Sequence, residues 1–161
     1  MWDTKAMRVY VPALSNELTD EKPVIRPGWA ANAPANAHPD EREVYEYTAQ
    51  TEAALASLEA LRESPHGNAL VRLVLAVDLP IPMPPEVPDS SENVEVAVSP
   101  FAWHDVQALL VDGSDAHTAV RAVIEAKEQD EADTALGELW DHAMEWFDVS
   151  ERQVLSRALH T

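Results

Sequence analysis

The chain has 161 residues and 46% hydrophobic content, enough for one domain with a real core. It holds no cysteine, which excludes disulfides, thiolate metal sites and cysteine nucleophiles; four glycines leave little material for phosphate-cradling loops. A net charge of −18 repels phosphate backbones and anionic lipid surfaces, so neither direct nucleic-acid binding nor membrane association is expected.

Residues 1–6 read as an N-terminal extension to a single domain spanning 7–161. The first ten residues carry Asp3, Lys5 and Arg8 and no apolar h-region, so a soluble cytoplasmic protein is expected. MRVYVP, from Met7, alternates Val9 and Val11 against Arg8 and Tyr10, which predicts a half-buried strand ending at Pro12. Ala13 to Asp20 predicts a short helix, with Leu14 and Leu18 one turn apart. Residues 23–40 hold four prolines, five alanines, Gly28 and Trp29 without either period, and read as a long Pro/Ala-rich loop. Trp29 either anchors this loop to the core or lines a lid.

A strong helix is expected from Asp40 to Glu63, with Asp40 and Glu43 as a capping box and Val44, Tyr47, Thr48, Thr51, Leu55, Leu58 and Leu61 as its inward stripe. Asn68 to Leu79 follows, apolar on both parities and closed by turn chemistry. Such a strand belongs in the middle of a sheet with both faces covered. Five prolines between Pro80 and Pro88 predict an extended crossover joining it to an antiparallel neighbour, Asn93 to Val98, where Val94, Val96 and Val98 face in and Glu95 out. Phe101 to Asp105 predicts one helical turn and Val106 to Val111 a fourth strand. Three helices close the chain: Ser114 to Lys127, Glu131 to Phe147, and one opened by the Asp148–Glu151 capping pair that ends near Leu159. The expected class is α+β: two layers, a four-stranded mixed or mainly antiparallel sheet, and helices chiefly on one face.

MRVYVPA, EYTAQTEAALASL, VLAVDLP, VEVAVSPFAWHDVQALLVDGSDA and ELWDHAMEWFD, in that order, resemble a family of small actinobacterial proteins of unknown function over most of Met7 to Glu151. The resemblance implies a cytoplasmic actinobacterial setting. Because the family carries no assigned activity, no catalytic or ligand residue transfers from it.

Four groups of residues stand out. Asp112, Ser114, Asp115 and His117 lie where a strand ends and a helix begins; carboxylates and a histidine there can hold a divalent ion, although helix capping by Ser114 or Asp112 is the better explanation. Glu138, His142 and Glu145 recur at i, i+4 and i+7, which on a helix places three metal-ligating side chains on one face. Ten acids lie between Glu125 and Glu151 against Lys127 alone, and Trp146 sits among Glu138, Asp141, Glu145 and Asp148. An exposed tryptophan ringed by carboxylates suits a basic protein surface. Trp103 either extends that patch or packs in the core. Lastly, Arg8, Tyr10, Arg72 and Glu95 share the outer parity as a cross-strand ladder, in which Arg72 needs a carboxylate such as Glu95 or Asp78.

No motif names a reaction: there is no nucleophile elbow, Walker loop, dinucleotide fingerprint or H-E-x-x-H. The reading is a non-enzymatic interaction or regulatory module using an acidic C-terminal helical face, with no cofactor and no catalytic residues assigned. A homodimer is compatible with it. The alternatives are a small metal-dependent or hydrolytic enzyme with a carboxylate–histidine site, and a DNA mimic.

Overall fold

The computed structural model describes residues 7–80 and 91–161. Among these residues the fold is α+β, with four helices and one open, all-antiparallel sheet. The sheet has six strands rather than the four expected: β1 (Met7–Ala13), β2 (Gly28–Ala31), β3 (Leu73–Leu79), β4 (Asn93–Val96), β5 (Val106–Val111) and β6 (Glu145–Phe147). Their order is β4-β2-β1-β3-β5-β6. The helices are α1 (Pro39–Glu63), α2 (His117–Glu125), α3 (Gln129–Leu139) and α4 (Arg152–Leu159).

The apolar ribbon in mid-chain is central, as its double parity predicts. β3 lies between β1 and β5, and Leu73 to Val77 are all buried. One face of the sheet carries Val9, Val11, Leu73, Leu75, Val77 and Leu109 against Leu18, Phe101 and Leu155. The other carries Tyr10, Val74, Ala76, Ala108 and Leu110 against Ala49, Ala53 and Ala54 of α1. A bulge where Ala76 pairs with Ala108 and Val77 with Val106 leaves Gln107 as the extra residue. It resets the parity of β5 so that both Val106 and Leu109 face the first core. A third cluster joins Leu58 and Leu61 of α1 to Val120 of α2 and Leu139 of α3.

The two unforeseen strands replace a loop and half of a helix. β2 lies inside the expected 23–40 loop, where a Cβ on Gly28 would stand 2.5 Å from Val9 Cγ1; glycine alone lets this backbone approach β1. Trp29 on β2 packs against the core beside Tyr10. β6 takes the second half of the helix expected over Glu131 to Phe147, which ends at Leu139. Nor do the strands on either side of the prolines pair: β4 adds to β2 at the sheet edge, away from β3. The polyproline crossover itself falls mostly outside the described residues.

Other expectations shift locally. The Ala13–Asp20 helix is a single 3-10 turn at Ser15–Glu17, and another at Trp103–Asp105 replaces the turn from Phe101. His38 takes the N-cap position of α1 without a side-chain cap bond and Pro39 is the first residue, so the Asp40–Glu43 box does not form. Its buried face is Ala49, Ala53, Ala54, Ser57, Leu58 and Leu61, whereas Val44 and Tyr47 of the expected stripe lie in solvent. Small residues let the helix lie close on the sheet. Ser57 then ties it down, its Oγ donating to Ala13 O at 2.9 Å and accepting from Leu73 N at 3.0 Å. A 3-10 turn at Ser114–Ala116 precedes α2 without a side-chain cap from Ser114. The Asp148–Glu151 box forms, Asp148 accepting from Ser150 N at 2.8 Å. α4 then covers the first core, with Arg152 stacked 4.4 Å from the Trp103 ring, so Trp103 packs inward. No helix among the described residues is long and apolar enough to cross a membrane.

Candidate functional site

α1 lies toward the β4-β2-β1 half of its sheet face, and β6 stands at the opposite edge. Trp146 pairs in register with Leu110, so its indole projects on the same face as α1. Between helix and strand runs a groove with two hollows, both lined by Tyr47, Gln50 and Trp146. Tyr47 is 60% exposed and Trp146 54%. With Val44 they form an aromatic and aliphatic surface of the kind soluble proteins seldom leave uncovered without a use.

The outer hollow, about 520 Å³, is bordered by Asp40, Glu43 and Glu46, three carboxylates one helical step apart on α1. Its one cation, Arg8, is held by Asp78 across the β1–β3 register at 2.5 Å. The Tyr10 phenol, 1% exposed, also faces it. Burial pushes this phenol above its ordinary range; a hydrogen bond with Gln50 opposes the shift and the nearby Glu46 charge adds to it.

The inner hollow, about 170 Å³, is lined by Trp140, Met144, Thr51 and Arg72 among others. Arg72 is 3% exposed and pairs with Asp112, neither with Glu95 nor with Asp78. Asp112 accepts from Arg72 Nη2 at 2.6 Å, from Nε at 3.0 Å and from the backbone N at 2.8 Å. The guanidinium also donates to His142 O at 2.8 Å and lies 5.7 Å from the Trp140 ring centroid. It thus fastens the 140–146 corner to the sheet ends. In that corner the 142 carbonyl accepts from a buried charge at the start of β3 and the chain turns into β6 where a longer helix was expected. The expected ladder of Arg8, Tyr10, Arg72 and Glu95 therefore does not form. Arg8 and Arg72 each have a carboxylate elsewhere, and Tyr10 is buried.

The residues expected to form two separate sites meet at one corner. His142 Nδ1 lies 3.3 Å from Asp115 Oδ2, and a Cβ on Gly113 would stand 3.3 Å from the Glu145 carboxyl. The shared helix face for Glu138, His142 and Glu145 is absent, since Glu138 lies in the last turn of α3, His142 in the turn that follows it and Glu145 begins β6. Among the described residues no group of three or more histidines and acids is arranged to hold a metal ion. Of the turn residues, Asp112 is consumed by Arg72; Ser114, Asp115 and His117 are exposed, with His117 3.2 Å from Arg121. All ten acids from Glu125 to Glu151 are exposed, including Glu138, Asp141, Glu145 and Asp148, but none of these four lines the hollows beside Trp146. Hydrogen bonds from Ser150 hold Asp148 below the usual carboxylate range.

The groove residues of α1 escaped the sequence reading. Two signals pointed to them: Ala49, Ala53, Ser57 and Leu61 repeat every four residues, and Asp40, Glu43 and Glu46 every three. Together they turn Tyr47 outward.

The chain belongs to a family of unknown function (DUF6912), whose model matches residues 7–155. Neither the curated proteins nor the solved structures yield a match.

Proposed function

We propose that this protein is a non-enzymatic interaction module that binds a basic segment of a partner protein in the groove between α1 and β6. One observation carries the reading: Tyr47 and Trp146, each more than half exposed, line a hollow edged by Asp40, Glu43 and Glu46. Aromatic faces attract ammonium and guanidinium groups, and adjacent carboxylates select the sign of charge.

A fluorescein-labelled peptide of alternating lysine and leucine tests this by anisotropy at low and high salt. Binding should weaken with salt. Trp146→Ala should reduce it roughly tenfold or more, as buried interface tryptophans do. It should leave the melting temperature nearly unchanged, because the side chain is exposed. Glu125→Gln, on α2 outside the groove, serves as the charge control and should cost little. Equal losses in the tryptophan and control variants would reduce the interaction to non-specific attraction and defeat the proposal.

A further inference from the structure

We infer that the inner hollow is a binding site for a single planar ring bearing a neutral hydrogen-bond acceptor, such as an aromatic carboxamide, and that Arg72 Nη1 holds the acceptor. The inference goes beyond peptide docking and concerns a small molecule.

Three observations converge on it. First, size: the hollow measures about 170 Å³, and an apolar cavity of about 150 Å³ holds a benzene. Second, its walls are Tyr47, Trp140, Trp146 and Met144, with Thr51 and Gln50 at α1. Aromatic and thioether groups favour a ring over an aliphatic chain of equal volume. Third, the guanidinium of Arg72 is almost wholly buried, yet only Nε and Nη2 have partners. Among the described residues no buried side-chain nitrogen or oxygen lacks a partner, so Nη1 must be reached from outside the protein. Arg72 lines the hollow, which offers this donor its way to solvent.

The ligand's charge follows from the same contacts. Asp112 already neutralises Arg72, and the chain as a whole carries a net charge of −18. A carboxylate therefore finds no net positive site, whereas a carboxamide oxygen gains a charge-assisted bond without carrying a charge inward. A ring without an acceptor fills the volume but leaves Nη1 unpaired.

Titration of intrinsic tryptophan fluorescence with benzamide tests the site. The expected result is saturable quenching with a dissociation constant on the order of a millimolar, inside the per-atom range for small ligands. Toluene and benzoate should bind roughly tenfold more weakly, for want of one charge-assisted hydrogen bond or through repulsion. Thr51→Phe, which fills the hollow from α1, should abolish quenching while the melting temperature is kept. Arg72→Lys preserves the charge beside Asp112 and removes the planar fork, so it should lower benzamide affinity toward that of toluene. Should Arg72→Lys fail to fold, the benzamide–toluene comparison on the parent protein still reads the role of the acceptor. Absence of saturation, or equal quenching in the Thr51→Phe variant, would overturn the inference. Peptide binding is measured separately, so either site can fail without the other.

Discussion

Removing Asp112 should be among the costliest single changes available in this protein. Its carboxylate accepts from the side chain and the backbone N–H of Arg72, at 2.6 to 3.1 Å, with both residues almost fully buried. Asp112→Ala strands a buried guanidinium and orphans a buried amide. Breaking a buried pair in this way costs about 3–5 kcal/mol, against a whole-domain stability of about 5–15 kcal/mol. With a urea m-value of about 2 kcal/mol per molar, the unfolding midpoint should fall by roughly 1.5–2.5 M. Tryptophan fluorescence follows the transition and should report loosening of the corner that carries Trp140 and Trp146. The double variant Arg72→Met, Asp112→Ala replaces the stranded charge with an apolar chain of similar length. It should be no less stable than Asp112→Ala, so that the coupling is at least the whole cost of Arg72→Met alone. If Asp112→Ala costs under about 1 kcal/mol, or the two changes simply add, Arg72 and Asp112 are not the staple described here.

Two further outcomes test the packing. Gly28→Ala would put a Cβ 2.5 Å from Val9 Cγ1 and 2.9 Å from Tyr10 O; it should destabilise by about 1–3 kcal/mol, whereas Gly137→Ala, with open space around an exposed site in α3, should stabilise by about 0.5–1 kcal/mol. Thermal melts of the two variants should move in opposite directions. Tyr10 should ionise above the ordinary phenol range in an ultraviolet titration, a step that Tyr10→Phe removes. Since the folded-state value is raised, its stabilising contribution is complete below the unfolded pKa and is lost as pH rises through the folded one, so alkaline stability should fall less steeply in Tyr10→Phe.

Much of the fold was legible because it rests on runs long enough to show a period. The double parity of Leu73 to Val77 placed β3 in the middle, and the short apolar run at Val106 to Val111, closed by Asp112 and Gly113, marked β5. What escaped were elements too short to have a period of their own. β2 is GWAA and β6 is EWF; each becomes a strand through hydrogen bonds from a neighbour already in place. In the second case Leu136, Leu139, Trp140, Ala143, Met144 and Phe147 fit a helical stripe, and a tertiary demand overrode it. The buried Arg72 takes a carbonyl that a continuing helix would have kept. Metal geometry at Glu138, His142 and Glu145 was lost with that helix. On α1 the error was one of weighting: larger apolar residues were read as inward, but a helix seated close on a sheet buries its alanines.

That close seating also bears on why an apolar groove persists beside so much charge. Val44, Tyr47 and Trp146 together make the kind of surface that drives self-association in a neutral protein. Here the carboxylates at its border and the net charge of −18 set two copies against each other. In the function proposed above, the same carboxylates attract the basic partner. Charge therefore acts as negative selection against homotypic contact and positive selection for a cationic one, two requirements that specificity normally needs separate features to meet. Helical propensity and solubility alone would be served by acids anywhere on the surface. Their placement at Asp40, Glu43 and Glu46, beside the exposed rings, is what ties the composition to the groove.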